Sequence, residues 1–157
     1  MANSLLTVPI KGNRDLLRAR QLVRRAADLL GFNCTDQMCL AAAAFDLACQ
    51  AHAVTGRAQF SCEIVDNCLN VNCIPLARRR QPSGATKEPG AKIVKQLPAG
   101  AGSPREDVAW MLQQLANLAP VDLFDEMKKV NQELLQLLLE TTKGRDGRAE
   151  QAGPNAA

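Results

Sequence analysis

Residues 18–50 read RARQLVRRAADLLGFNCTDQMCLAAAAFDLACQ, and the break LGFN at its centre decides how the rest of the chain is laid out. Before the break, Leu16, Val23, Ala27 and Leu30 recur at helical spacing, which predicts a helix from about Asp15 to Leu30. Gly31 stands where a left-handed C-terminal cap is expected. After the break, Thr35 offers an N-cap to a second helix over DQMCLAAAAFDLACQAH. Its Ala, Leu, Cys and Phe side chains surround most of the cylinder, so this helix is expected to be largely buried.

Working outward, residues 4–10, SLLTVPI, predict a short strand that Pro9 confines to an edge or a strand end. Downstream, 58-AQFSCEIV-65 places Phe60, Cys62 and Ile64 on one face, and 68-CLNVNCI-74 does the same with Leu69, Val71 and Cys73. With Asp66-Asn67 as turn residues, the two read as a hairpin. Residues 76–91 concentrate Pro, Gly, Ser and charge and are expected to form an exposed loop. A further strand over 92-KIVKQL-97 precedes a linker at 99–103.

Two helices are expected at the C-terminal end. Ser103-Pro104-Arg105-Glu106 has the form of a capping box with Pro at the first helical position, predicting a helix from Pro104 to about Leu118. In the last helix Leu123, Met127, Val130, Leu134, Leu137 and Thr141 follow spacings of 4, 3, 4, 3 and 4, a short coiled-coil seam. Met127, Val130, Leu134 and Leu137 are its candidate dimer contacts, and a homodimer is the expected assembly. A self-packed helical hairpin is the competing use of the same stripe. Residues 144–157 have the composition of a disordered tail.

Composition narrows the classes of function. The 157 residues include 46% hydrophobic, enough for one core, while 3% aromatics and a net charge of +3 give little stacking surface for single-stranded nucleic acid. The opening MANSLLTVPIKGNRD has neither a basic n-region nor a long apolar core, and no other apolar run was expected to reach the length of a membrane span. The expected location is the cytoplasm, with no membrane partner. Six cysteines without an export signal are expected to stay thiols. With no C-x-x-C and one histidine, they are read as small hydrophobes rather than metal ligands, and His52 as a partner for its helix C-terminus. Arg14, Arg18, Arg20, Arg24 and Arg25 crowd the first helix. A solvated face is the plain reading, and a docking surface for an acidic partner through Arg18, Arg24 and Arg25 is the functional one.

The order of strand, Arg-rich helix, LGF turn, TDQ-capped helix and two alternating strands resembles the first half of the anti-sigma-factor serine/threonine kinases of the GHKL (HATPase) superfamily. Residues 18–50 carry most of the likeness, and 104–140 resemble a helical extension on some bacterial members. In that family a Glu followed four residues later by an Asn, the N-box, supplies a general base and a magnesium-binding amide from one helix face. The matching positions here are Asp46 and Gln50. Each keeps its functional group, but the carboxylate is shortened and the amide lengthened by one methylene, which disturbs the geometry magnesium demands. The family's Asp-x-Gly-x-Gly segment and Gly-rich lid have no counterpart in 70-NVNCIPLARRR-80, where Arg78, Arg79 and Arg80 are the only obvious phosphate contacts.

These readings converge on an α+β fold, a small mixed sheet of about four strands packed on two helices over residues 1–98, with a two-helix extension over 104–143. The function implied is a non-catalytic regulator of a bacterial partner-switching or signalling system. It would act by binding a sigma factor, an anti-sigma antagonist or a related kinase, with no cofactor and Asp46/Gln50 as a vestigial N-box. The first alternative is an ATP- and magnesium-dependent protein serine kinase with Asp46 as base and Gln50 near the metal. The second is a basic nucleic-acid-binding module, which lacks a recognisable DNA-binding turn. Redox sensing through Cys73, a few residues before Arg78, is a further reading.

Overall fold

A computed structural model describes residues 3–76, 92–99, 104–119 and 122–150. The elements in chain order are β1 (Asn3–Ile10), α1 (Asn13–Leu29), α2 (Cys34–Thr55), β2 (Ala58–Val65), β3 (Cys68–Pro75), β4 (Lys92–Gln96), α3 (Pro104–Ala116) and α4 (Leu123–Glu150). Contacts divide the chain into one compact unit over residues 1–121 and a second over 122–157.

In the first unit a four-stranded sheet, in the order β1-β2-β3-β4, packs with α1 and α2. All three strand pairings are antiparallel, so the expected mixed sheet is corrected. The reason is geometric. The two helices between β1 and β2 form an out-and-back pair, which returns the chain to the end of the sheet where β1 finished. The next strand must therefore run the opposite way, and no crossover is made.

The turn between the helices explains how they reverse. Leu30 ends α1 and Gly31 takes φ +80°, a conformation that costs glycine nothing. The Gly31 N–H donates to Asp28 O and the Phe32 N–H to Ala27 O, both at 3.0 Å, the paired bonds of a Schellman motif. Phe32, just past the cap, is buried in the core with Ala27. The second helix is capped by Asn33 rather than Thr35, because the Asn33 side chain accepts the Asp36 N–H at 2.8 Å. Gln37 then donates from Nε2 to Phe32 O at 2.7 Å, which satisfies a carbonyl at the bend.

The inner face of the sheet carries Phe60, Cys62 and Ile64 from β2 and Leu69, Val71 and Cys73 from β3, all buried as their alternation requires. On the outer face, Asn70 on the interior strand β3 lies between Glu63 of β2 and Val94 of β4 and is buried as well. β1 contains a register shift between Ser4 and Leu6. The extra residue, Leu5, is buried, and Leu6 also packs on the core, so the bulge lets consecutive leucines serve the interior. Pro9 opposes Gln59 on this edge strand, where its missing donor costs no ladder bond. Asp66 and Asn67 have φ of 48° and 60°, the double left-handed pair of a two-residue type I′ turn.

Three features concern the C-terminal helices and α2. Helix α3 sits in the first unit, with Met111 in the main core and Leu115 packed with Leu22 and Ala26 of α1. The second unit thus contains one described helix, and that helix continues to Glu150, into the stretch expected to be a tail. Finally, α2 is long and apolar enough to cross a membrane by length and composition. Its residues Leu40, Ala44, Leu47, Ala48 and Ala51 lie in the core of the first unit, which accounts for that composition. The loop expected at 76–91 falls, from residue 77 onward, outside the described residues.

The caps make a direct comparison possible. Asn33→Ala is expected to lower unfolding stability by about 1 kcal/mol, whereas Thr35→Ala, at an exposed position two residues later, changes it by less than about 0.5 kcal/mol. Urea denaturation of the two variants checks the assignment of the cap.

Candidate functional site

Helix α2 is two-sided in a way its composition conceals. Leu40, Ala44, Leu47, Ala48 and Ala51 are buried, while Cys39, Ala43, Asp46, Gln50 and Ala53 form an exposed line at spacings of 4, 3, 4 and 3. Small side chains on both sides make the helix look uniformly apolar in sequence. Asp46, placed by the motif in a helix expected to be buried, is therefore a surface residue.

The two residues matched to the N-box do come together. Gln50 donates from Nε2 to Asp46 Oδ2 at 2.8 Å, an i,i+4 bond along the exposed line. Among the described residues this is the side-chain hydrogen bond in which either takes part. The bond uses the Gln50 amide N–H and occupies one oxygen of the Asp46 carboxylate. The pair could still offer oxygen ligands to a cation, because Gln50 retains its carbonyl and Asp46 its second oxygen. Among the described residues, no group of three or more His, Cys, Asp or Glu is placed to hold a metal ion. Next to the pair, the half-buried Cys49 thiol has its pKa raised, first by desolvation and then by the Asp46 charge, so it is held in its unreactive neutral form.

The arginines of α1 are dispersed rather than presented as one patch. Arg25 pairs with Asp28 one turn on, Arg18 donates to Ala119 O at 3.4 Å, and Arg20 is buried, at 3% exposure. Arg24 is half-buried and has its own polar partner. Asp28 also accepts Gln37 Nε2 at 3.4 Å, so the Arg25 pair sits against the helix-to-helix bend. Arg78, Arg79 and Arg80 lie outside the described residues.

Two interactions had no motif to announce them. Lys95 of β4 reaches Asp36 in the first turn of α2, with Nζ 3.1 Å from Oδ1, while the Asn33 amide holds Oδ2 at 3.0 Å. The bridge links the edge of the sheet to a helix N-terminus, where a carboxylate is favoured. Gln37 at the bend is the other. Gln37 stands four residues after the Asn33 cap, but the carbonyl it satisfies depends on the fold of the turn. His52 lies in the last turn of α2, and its carbonyl accepts the Gly56 N–H at 2.7 Å in a left-handed cap.

Among the assigned coiled-coil residues of α4, Val130 and Leu137 are half-buried, whereas Met127 and Leu134 are exposed. The seam read from spacing is therefore split between two sides of the helix. No family model, curated protein or solved structure matches this chain.

The six thiols divide sharply. Cys34 and Cys39 are exposed, while burial pushes the Cys62 pKa up to about 12 and the Cys73 pKa up to about 11. For Cys73, a hydrogen bond from the Ile74 backbone opposes that rise. A redox role for Cys73 loses the lowered pKa it would need. A thiol reagent at pH 8 is expected to modify Cys34 and Cys39 in the native protein and Cys62 and Cys73 only after unfolding, as read by peptide mass mapping. The same shifts set a pH trend. Above the ordinary thiol value of 9.0 the unfolded chain releases these protons while the folded chain retains them, so stability falls as pH rises through about 11 to 12. Denaturation midpoints measured from pH 8 to 11 should decline, and Cys62→Val should flatten part of that decline.

Proposed function

We propose that this chain is a non-catalytic regulatory protein of a bacterial partner-switching or signalling system, acting by binding another protein. The observation that carries the reading is the pair on α2, in which Gln50 donates to Asp46 across one turn and occupies one oxygen of the acid that would serve as base. A kinase of the resembled type uses the equivalent acid as a base and the equivalent amide toward magnesium. Here the two groups answer each other, and each has the wrong reach by one methylene. The sequence that follows supports the same reading. β3 ends at Cys73-Ile74-Pro75 with no glycine that would let backbone amides approach a phosphate closely.

Docking would rest on α1. Exposed ion pairs contribute about 0–1 kcal/mol, so the Arg25 contact with Asp28 can be exchanged for a carboxylate on a partner at little cost. Arg18 holds its present acceptor at a length where the bond is weak. An acidic helix or loop of a sigma factor, an anti-sigma antagonist or a related kinase is the partner chemistry these groups fit. Such a switch would be governed by relative concentrations and affinities, since no covalent step is required.

Calorimetric titration of the full-length protein with Mg-ATP and with Mg-ADP is the direct test. The expected result is no saturable heat. Saturable, magnesium-dependent binding that disappears in Asp46→Asn would overturn the proposal and move the kinase reading into its place. Because Asp46 is exposed, Asp46→Ala should alter unfolding stability by less than about 0.5 kcal/mol, which keeps a loss of binding distinguishable from a loss of fold.

A further inference from the structure

Helix α4 displays more apolar surface than a solvated helix normally does. Phe124, Met127, Leu134, Leu135, Leu138 and Leu139 are all exposed, with Phe124 at 79% and Leu138 at 63%. Of these, only Met127 and Leu134 belong to the stripe that heptad counting alone selects, whose Val130 and Leu137 are half-buried. The exposed line keeps Met127, Leu134 and Thr141 and moves the alternate positions on by one residue. It runs Phe124, Met127, Asn131, Leu134, Leu138 and Thr141, at spacings of 3, 4, 3, 4 and 3. That is again an uninterrupted a/d repeat, now with Asn131 at a central a position.

We propose that this line is the contact with a second copy of the chain, in a parallel, in-register two-stranded coiled coil in which Asn131 meets Asn131 of the other copy. Three observations support a second copy, and the first of them also sets the direction. The first is the asparagine. In a parallel pair the two amides face and hydrogen-bond each other, whereas the antiparallel pairing that matches a with d layers sets each amide against a leucine and leaves it unsatisfied. The second is charge. With Phe124, Asn131 and Leu138 at a, the flanking e positions are Lys128, Leu135 and Thr142 and the g positions are Leu123, Val130, Leu137 and Gly144, so the flanks bring no like charges together. The third is the polar end of the line. The Thr141 hydroxyl donates to Leu137 O at 2.7 Å, so its oxygen is already satisfied within the helix and its methyl can enter an apolar layer.

The size of the contact sets its strength. From Phe124 to Thr141 the line covers roughly 27 Å of helix and on the order of 500 Å² per copy, less than the ~800 Å² per partner of a standard stable interface. The dimer is therefore concentration-dependent, and the chain is folded on both sides of the equilibrium. This proposal is independent of whether Asp46 and Gln50 bind nucleotide.

Sedimentation equilibrium of the full-length protein over a wide concentration range tests it. The expected result is a monomer–dimer equilibrium that Leu138→Asp weakens by at least ~30-fold while far-ultraviolet circular dichroism is unchanged. Asn131→Leu is expected to raise the average mass beyond a dimer, because the layer that enforces two strands is gone. Direction is read from the Phe124→Cys variant. After mild oxidation, peptide mass mapping should find two copies joined at position 124, which an antiparallel pair would hold far apart. A monomer at every concentration, a dimer indifferent to Leu138→Asp, or a dimer with no link at position 124 would each overturn the proposal.

Discussion

The reversal between α1 and α2 is the constraint on which the rest of this structure rests. Gly31 in the left-handed region lets the chain turn, the N–H groups of Gly31 and Phe32 close the end of α1, and Phe32 drives the bend into the core. Gln37 and Asn33 then satisfy the groups that the bend and the start of α2 would leave open. None of these contacts is large alone, and a cap of this kind is worth about 1 kcal/mol. Their joint effect is directional. They fix α2 antiparallel to α1, and that sets the sense in which β2 enters the sheet.

From this one direction follows the placement of the candidate site. With α2 laid down by its buried leucines and alanines, the residues at 39, 43, 46, 50 and 53 are left on the outside. Asp46 and Gln50 meet because i and i+4 share a face, and the amide N–H of one reaches the carboxylate of the other. The chemistry available to the pair is thus set by helix periodicity and by the lengths of two side chains.

Much of the architecture was legible in the sequence, and the parts that were share a physical basis. Alternation in Phe60, Cys62, Ile64 and Leu69, Val71, Cys73 reports a local property, the side-chain period of a strand, and the inner face of the hairpin is where it was expected. Gly31 and the Asp66-Asn67 turn are legible for a similar reason, since few residues tolerate positive φ. What was not legible depends on partners distant in the chain. The antiparallel sense of the β1–β2 and β3–β4 pairings, the seating of α3 on α1, and the Lys95 bridge to Asp36 all join segments whose local sequence does not name the other side. The exposure of Asp46 was hidden for another reason. Alanine occupies both faces of α2, so hydropathy could not say which face was covered. The stripe of α4 is ambiguous for a related reason, because leucines at 134, 135, 137, 138 and 139 fit two heptad frames that differ in burial.

The place of β1 at the edge of the sheet also bears on how the chain reaches this state. Its partner residues lie more than a helical pair away, from Asn3 against Ile64 to Ile10 against Ala58, while β2 and β3 are joined by two residues and α1 and α2 by a short bend. Closing a loop of that size costs entropy that no contact repays until the helices have docked. The hairpin and the helical pair can form from their own neighbours, but β1 gains its ladder only after both are in place. Until then β2 presents an edge of unpaired backbone N–H and C=O groups, and the interval before β1 arrives is the stage of folding most open to pairing with a strand from another molecule.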